Sequence, residues 1–261
     1  MKIKLIFIVA MILFILLSLL SHINNQRQPF TSYNIKYTAI IIEPREHQAL
    51  EFVLKNFIFN LSDEWQFLIF HGNNNKQYIE NILNAHFQNE ITRIQLIDLQ
   101  VDNLSIQEYN KLLFSKEFYN TIPTEIFLLF QTDTMLFTEN VNKINDYFQY
   151  DYVGAPWVEK EWNKNTDKIG NGGLSIRRKS KMLEVLDKCE ISENVPEDVY
   201  FSTLFCDKVK LNKPSIEKSK EFSVEQVYSE NPIGAHKPWI YGSYDKLSEK
   251  YTDLQILRSL N

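Results

Sequence analysis

The sequence predicts an α/β fold with a mostly parallel central sheet and flanking helices, preceded by an N-terminal transmembrane helix. Short apolar runs of strand length alternate with segments in which apolar residues recur at helical spacing. The stretch Glu125–Phe137 begins with a run that has no polar face, which is typical of a strand buried on both sides. A charge-free apolar segment, Leu5–Leu20, stands apart at the N-terminus.

The strands and helices follow one another in a regular order. Before the central strand, we predict strands at residues 36–42, Trp65–Phe70 and Ile94–Leu99 from their apolar runs. Helical spacing predicts helices over residues 50–58, 78–87 and 109–118. After the central strand, we predict helices through Met182, Leu183 and Leu186, from Glu197 onward, and from Ser243 to Leu260.

Length and composition favour one domain without a nucleic-acid partner. The chain has 261 residues, of which 44% are hydrophobic, so one core can form after the N-terminus is set aside. A formal net charge of −5 provides no basic surface for nucleic acid. Cys189 and Cys206 are too few for a disulfide framework; two buried thiols are the favoured interpretation, and one bridge is the alternative.

The N-terminal segment predicts a signal anchor over residues 5–21. As a helix, its apolar run spans about 24 Å at roughly 1.5 Å per residue, which suits a thin bilayer such as that of the ER. A cleaved signal peptide is the alternative, although Ser18–Ser21 is a poor cleavage site. The lysines within residues 1–4 then keep this short N-terminal tail in the cytosol. Residues 22–36 form a stem, and residues 37–261 form the domain on the lumenal side.

The end of the central strand is the first candidate site. After Phe130 the chain turns polar at Gln131, Thr132 and Asp133, which places one carboxylate where the strand leaves the core. Ligands of open α/β sheets bind at the carboxyl ends of strands. Asp133 is therefore the first residue expected in an active site.

Two irregular segments follow. Trp157 offers a flat face against which a sugar ring can pack, although a tryptophan that caps the core is equally consistent with the sequence. The glycines of Gly170–Gly173 permit close backbone approach to a ligand. A phosphate-binding Walker loop is excluded because its lysine and hydroxyl residue are missing. Asn171 is either a site residue or the ordinary partner of glycine in a turn.

Two further segments carry ionisable groups. Glu197 and Asp198 open a helix, where the helix dipole favours acidic residues. The functional alternative is a carboxylate that takes a proton from an incoming hydroxyl. His236 and Lys237 precede Pro238 and Trp239; a lone histidine is more often structural than a ligand.

Together these segments resemble the family called domain of unknown function 5672, which is similar to nucleotide-sugar glycosyltransferases of the GT-A fold, a Rossmann-like architecture. The resemblance extends from Ile40 to Trp239. Its segments, in order, are Ile42–Arg45, Ile69–Gly72, Phe130–Asp133, Tyr152–Trp157, Gly170–Ser175 and Glu197–Phe201. Because members occur in giant viruses and bacteria, the composition rich in Asn, Ile and Lys suits a viral source.

The resemblance implies a divalent cation, Mn²⁺ or Mg²⁺, held by Asp133 and His236 on the diphosphate of a nucleotide-sugar donor, expected to be a UDP-sugar. Gln131 departs from the family pattern, because it replaces the first acid of an Asp-x-Asp sequence. The donor-binding residues that the resemblance implies are Glu43, Arg45, Gln131, Thr132 and Lys237.

The Glu197-Asp198-Val199 sequence is similar to the Glu-Asp-Val sequence of inverting β-1,3-glycosyltransferases. This implies that Asp198 is the catalytic base, with Glu197 as the second candidate. The residues implied to contact acceptor or sugar are Trp157, Asn171, Gly172 and Gly173.

The protein so implied is a membrane-anchored hexosyltransferase that acts on a glycan or glycoprotein, in an ER- or Golgi-like lumen or, for a viral protein, at a host membrane. Retaining transfer is an alternative to inverting transfer. A catalytically inactive sugar-binding or assembly protein that keeps the fold is the second hypothesis, because Gln131 carries no charge.

Overall fold

In the part of the chain that the structure describes, strands alternate with helices, and the strands form two sheets. The computed structural model describes residues 33–164, 166–191, 195–203 and 206–261, and Ile35–Asn261 form a compact unit. The strands are β1 (Tyr37–Ile42), β2 (Trp65–His71), β3 (Ile94–Asp98), β4 (Ile126–Phe130), β5 (Thr134–Leu136), β6 (Tyr152–Val153), β7 (Leu174–Arg178), β8 (Ser223–Val224) and β9 (Gly234–His236).

Helices cover both faces of the main sheet. They are α1 (Leu50–Asn60), α2 (Lys76–His86), α3 (Ile106–Leu113), α4 (Lys116–Thr121), α5 (Lys179–Lys188), α6 (Glu197–Thr203), α7 (Ile216–Phe222), α8 (Tyr244–Lys250) and α9 (Asp253–Ser259). Short 3₁₀ helices lie at Ile91–Arg93, Val141–Tyr147 and Glu161–Asn163.

The main sheet has six strands in the order β3-β2-β1-β4-β7-β6. The first four strands in this order run parallel, which confirms the mostly parallel sheet predicted from the alternation of strands and helices. Strand β7 runs antiparallel to both of its neighbours, β4 and β6. A second sheet has the order β5-β9-β8, with β5 antiparallel and β8 parallel to β9.

The hydrophobic core lies on both faces of the main sheet. Along β1, Ala39 and Ile41 pack into one cluster, with α1, α2 and the C-terminal helices. Ile40 and Ile42 point to the opposite face, where they join residues from α3 to α6. The strand is apolar at successive positions because both of its faces are buried.

Three segments differ from the prediction. The helix predicted over residues 109–118 is two helices, because Ser115 caps the second by accepting a hydrogen bond from the Phe118 amide. The closing helix is also divided, at Tyr251–Thr252, into α8 and α9. The glycines of Gly170–Gly173 lead first into strand β7, which the sequence analysis missed, and only then into helix α5.

The predicted signal anchor and most of the predicted stem fall within residues 1–32, outside the described residues. Among the residues that the structure does describe, no helix combines the length and the apolar character that a bilayer crossing requires.

The two cysteines form a disulfide, so the favoured interpretation of two buried thiols is wrong. Cys189 and Cys206 are bonded, with their Cα atoms 5.8 Å apart, which is within the range a bridge spans. Both belong to the same hydrophobic cluster beneath the main sheet. Packing therefore brings together two residues whose sequence separation of 17 gave no indication of contact.

We expect no free thiol in the denatured, unreduced protein and two after reduction, measured with a thiol reagent. Reduction should also destabilise the domain by about 3 kcal/mol, because the bridge restricts a loop of this length in the unfolded chain. Two reactive thiols before reduction would contradict the bridge.

Candidate functional site

One cavity, of about 570 Å³, contains nearly all of the residues that the sequence analysis selected. The selected residues that line it are Glu43, Arg45, Gln131, Thr132, Asp133, Asn171, Gly172, Gly173, Glu197, Asp198, His236 and Lys237. They come from segments spread across about 200 positions of the chain, so their convergence is a property of the fold.

The strand pairing explains this convergence. β1 and β4 are parallel neighbours, so the segments that follow them, Glu43–Arg45 and Gln131–Asp133, leave the sheet at the same edge. The antiparallel pairing of Phe130 with Leu174 sets Gly173 beside the end of β4. In the second sheet, Thr134 pairs with His236, which brings the end of β9 next to Asp133.

Asp133, His236 and Lys237 lie in contact with one another in the cavity. The Asp133 Oδ1 atom lies 3.3 Å from His236 Nε2, and the Oδ2 atom lies 2.9 Å from the Lys237 ammonium. Lys237 has φ of +44°, a conformation that costs free energy in a residue other than glycine. The fold therefore accepts backbone strain where it places this cation over the carboxylate.

Mutual pairing shifts the pKa values of this group. Burial by itself raises the pKa of Asp133, but His236 and Lys237 outweigh it and lower that pKa to about 2. Burial likewise opposes charge on His236, but the carboxylates of Asp133 and Glu225 raise its pKa to about 9. At neutral pH the Asp133 carboxylate and the His236 imidazolium are therefore both charged.

Asp133 and His236 fit a divalent ion whose coordination a ligand completes. Within the described ranges, no cluster of three or more His, Cys, Asp or Glu side chains is arranged to hold a metal. Asp133 Oδ1 and His236 Nε2 are nevertheless buried, face each other and lack hydrogen bonds of good geometry. Mg²⁺ commonly uses one or two protein ligands together with substrate phosphates and water. The donor set thus suits an ion shared with a phosphate ligand.

Glu197, the second candidate for the base, is committed to a buried ion pair. The Arg177 guanidinium donates to both of its carboxylate oxygens, at 2.7 and 3.0 Å. Both side chains are almost fully buried, with exposures of 0% for Arg177 and 5% for Glu197. The pair engages both oxygens of the Glu197 carboxylate, so Asp198 stays the first candidate for the base.

Asp198 has a different environment from its neighbour. Its two oxygens accept hydrogen bonds from the backbone amides of Gly172, at 3.1 Å, and Val199, at 2.8 Å. Burial and the nearby charge of Glu197 together outweigh these amides and Arg177, and raise the pKa of Asp198 to about 6. The carboxylate is therefore ionised at neutral pH but more basic than an exposed one.

Gly172 and Gly173 allow these groups to approach the backbone. A Cβ atom at Gly172 would overlap Glu197 and Asp198, and one at Gly173 would overlap the His236 ring. The Asn171 side chain supports the same turn, since its Oδ1 accepts from the Gly173 amide at 2.9 Å. Asn171 lines the cavity, but both ends of its amide are used within the protein.

The remaining predicted donor residues also make internal contacts. Gln131 donates its side-chain amide to the Tyr109 hydroxyl at 3.2 Å, so this amide nitrogen is bonded within the protein. The buried Glu43 carboxylate holds Arg45 through its backbone amide and through two guanidinium nitrogens. Arg45 is the more exposed of the pair, so it is the one available to a ligand.

The structure does not bring Trp157 to the cavity, so the prediction that it contacts sugar there is wrong. Trp157 is buried and packs edge-on against Trp162, with ring centroids 5.3 Å apart. Its backbone amide bonds to the Lys168 carbonyl, which holds it in a loop away from the lining residues. The alternative, a tryptophan that caps the core, describes this position.

Glu225 and Tyr109 also line the cavity, but they were not predicted from the sequence as site residues. Glu225 is buried against His236, with its Oε1 atom 3.3 Å from Nδ1. It follows the two-residue strand β8, which is too short to leave a pattern in the sequence. Tyr109 was assigned only to a helix; its hydroxyl accepts from Gln131, and desolvation raises its pKa.

Solved structures with a similar fold include enzymes that use nucleotide sugars. The galactosyltransferase LgtC, in complex with donor and acceptor sugar analogues, superposes with a TM-score of 0.52 at 12% identity, over 84% of this chain and 94% of LgtC. The mannosyltransferase PcManGT from Pyrobaculum calidifontis, in complex with GDP-Man and Mn²⁺, gives 0.45 at 13% identity over 71% of this chain, which spans 57% of that protein. The 4-diphosphocytidyl-2C-methyl-D-erythritol synthase from Anaerococcus prevotii DSM 20548 gives 0.44 at 13% identity, over 70% and 87%.

The likeness to LgtC establishes the fold class, an α/β fold like that of this galactosyltransferase. The chain belongs to the family described as "Protein of unknown function (DUF5672)", which matches residues 93–236. This match confirms the predicted family and spans the segment from Asp133 to His236. No curated protein matches the chain.

We expect Glu197→Gln to destabilise the domain by about 3–5 kcal/mol, because it leaves the Arg177 charge buried without a carboxylate. Urea denaturation followed by circular dichroism measures the change. Glu184→Gln is the control, since Glu184 pairs with Lys181 and Lys188 near the surface and should change stability little. Equal, small effects of the two changes would contradict a structural role for the Arg177–Glu197 pair.

Proposed function

We propose that this protein is a glycosyltransferase that moves a sugar from a nucleotide-sugar donor to a hydroxyl of a glycan or glycoprotein, with the help of a divalent cation. The observation that carries the proposal is the presence, in one cavity, of two chemically different groups. One, formed by Asp133, His236 and Lys237, suits a diphosphate and its ion. The other, Asp198, suits a hydroxyl that must lose a proton.

The donor side of the cavity is built to take up negative charge. A divalent ion held by Asp133 and His236 would neutralise charge that develops on the departing diphosphate. Lys237, with its ammonium at the same carboxylate, adds a cation within reach of phosphate oxygens. Arg45, which is half exposed above Glu43, supplies a further donor of hydrogen bonds to the nucleotide. A UDP-sugar is the donor we expect.

Asp198 serves as the general base on the acceptor side. Its raised pKa places it close to the pH at which a base is both ionised and able to take a proton. Loss of the hydroxyl proton strengthens the nucleophile as the anomeric carbon gains positive character. Direct attack by that hydroxyl inverts the anomeric configuration, so inverting transfer is the expected outcome; the anomeric signals of the product in NMR distinguish it from retaining transfer.

The disulfide supports an oxidising compartment, because such bonds persist mainly in extracellular and lumenal proteins. Together with the apolar N-terminal run, it favours a single-pass protein with its catalytic domain in an ER- or Golgi-like lumen or, for a viral protein, at a host membrane. Carbonate extraction of membranes that contain the full chain tests the anchor. A viral source stays a prediction.

Asp133→Ala should abolish Mn²⁺-dependent binding of UDP, because it removes a ligand of the ion. Asp198→Asn should leave that binding intact and lower transfer by about 10²- to 10⁴-fold, because it removes only the base. Calorimetry with Mn²⁺ and UDP, followed by a transfer screen over nucleotide sugars, measures both. Equal loss of binding in the two variants would refute the division of roles, and a folded wild-type protein that binds but never transfers would favour the inactive sugar-binding alternative.

The pH profile of kcat/KM should report Asp198. Below the pKa of about 6, Asp198 is protonated and cannot accept a proton, so the rate should fall about tenfold per pH unit and should level off above pH 7. An ion that binds His236 must displace its proton, so the profile is measured at each pH with enough Mn²⁺ to saturate the site. Under these conditions, a profile flat through pH 5 would exclude Asp198 as the base.

A further inference from the structure

Glu225 is a buried carboxylate that nothing in the sequence assigned to the site. Val224 pairs with Ala235 in parallel strands, so the next residues, Glu225 and His236, lie side by side. Its Oε1 atom is 3.3 Å from His236 Nδ1, and its side chain lines the same cavity. The histidine thus stands between two carboxylates, Glu225 at Nδ1 and Asp133 at Nε2.

The position of the Glu225 carboxylate is fixed from a second direction. Asn171 donates its side-chain amide to Oε1 at 2.9 Å, while its own oxygen accepts from the Gly173 amide. Gly173 also lies directly against the His236 ring, where any Cβ would overlap it. The ring is therefore held at one edge by Glu225 and on its face by a glycine that Asn171 keeps in place.

We propose that Glu225 is a positioning residue for His236. The Glu225 carboxylate holds the Nδ1 side of the imidazole ring and so leaves Nε2 to face the divalent ion beside Asp133. This inference rests on the proposed function. Imidazole binds a metal through the ring nitrogen that carries no proton. The hydrogen-bond partner of the other ring nitrogen decides which of the two nitrogens is free to bind the metal. A carboxylate at that second nitrogen also strengthens the ligand and fixes the ring. Asn171 acts one step further out, by holding the carboxylate.

The test is Mn²⁺ binding by the full chain in detergent with UDP present, measured from the electron paramagnetic resonance signal of free Mn²⁺. Glu225→Ala should weaken the affinity by about 10- to 100-fold. Glu225→Gln should lose less, because its amide oxygen can take the place of the carboxylate oxygen beside Nδ1. Glu230→Ala is the matched control, since Glu230 is an exposed acid of the same segment and should bind Mn²⁺ like the wild type.

A second readout follows the ring itself. In the complex with Mg²⁺ and UDP, nitrogen-15 spectra of labelled histidine should show His236 protonated at Nδ1; the signal is assigned by its loss in His236→Gln. Glu225→Ala should redistribute the proton or broaden the signal, while the other histidines stay unchanged. A merely structural role for Glu225 would not alter this signal in a folded variant.

The outcomes separate the two proposals. If the wild type binds Mn²⁺ and folded Glu225→Ala binds it equally well, the positioning role is wrong and the proposed function stands. If Glu225→Ala does not fold, Glu225→Met, which keeps the side-chain volume but removes the acceptor, takes its place; unchanged affinity and an unchanged ring spectrum in that variant overturn the role in the same way. If the wild type binds no Mn²⁺ with UDP, the metal-dependent function fails and the positioning role fails with it.

Discussion

The pairing of buried charge is the constraint on which the cavity depends. An ionised group removed from water needs a partner, and the fold supplies one at nearly every position. Glu197 has Arg177, Glu43 has Arg45, and the other two pairs are His236 with Glu225 and Lys237 with Asp133. Asp198 differs, because within the described ranges it has amide donors but no cation within 4 Å. The carboxylate that lacks a cationic partner is thus the one whose pKa rises toward neutrality.

Two glycines and two sheets impose this arrangement. The main sheet aligns the ends of β1 and β4, but it does not bring a histidine to them. The second sheet does so, since its register sets Glu225, His236 and Asp133 side by side at the ends of β8 and β9 and the start of β5. Gly172 and Gly173 then let the acid pair and the imidazole approach the start of β7 without overlap. A side chain at Gly172 would overlap Glu197 and Asp198, and one at Gly173 would overlap the His236 ring.

The sequence predicted the parts of the structure that have a strong pattern. The parallel half of the main sheet was predictable from the fully apolar runs of β1 and β4 and from the helical spacing of α1. Asp133 was selected because it lies at the end of a predicted strand. Strands of two or three residues, such as β8 and β9, carry too little periodicity to be found, so the register that brings Glu225 to His236 was not predictable. The same is true of Cys189 and Cys206, which a packed core brings together across a loop. Trp157 is the opposite case: a tryptophan side chain is well suited to contact a sugar, but the loop that contains Trp157 buries it in the core.

Gln131 has an electrostatic consequence for how ion and donor bind. Within the group of Asp133, His236, Lys237 and Glu225, the charges balance when the imidazole is protonated. An ion that replaces that proton on His236 leaves the group with one positive charge in excess, which a diphosphate more than compensates. A second acid at position 131 would cancel this excess and would hold the ion without a donor. With Gln131 bonded to Tyr109 instead, an ion in the proposed site would gain most of its attraction from a diphosphate, so we expect ion and donor to bind as a unit.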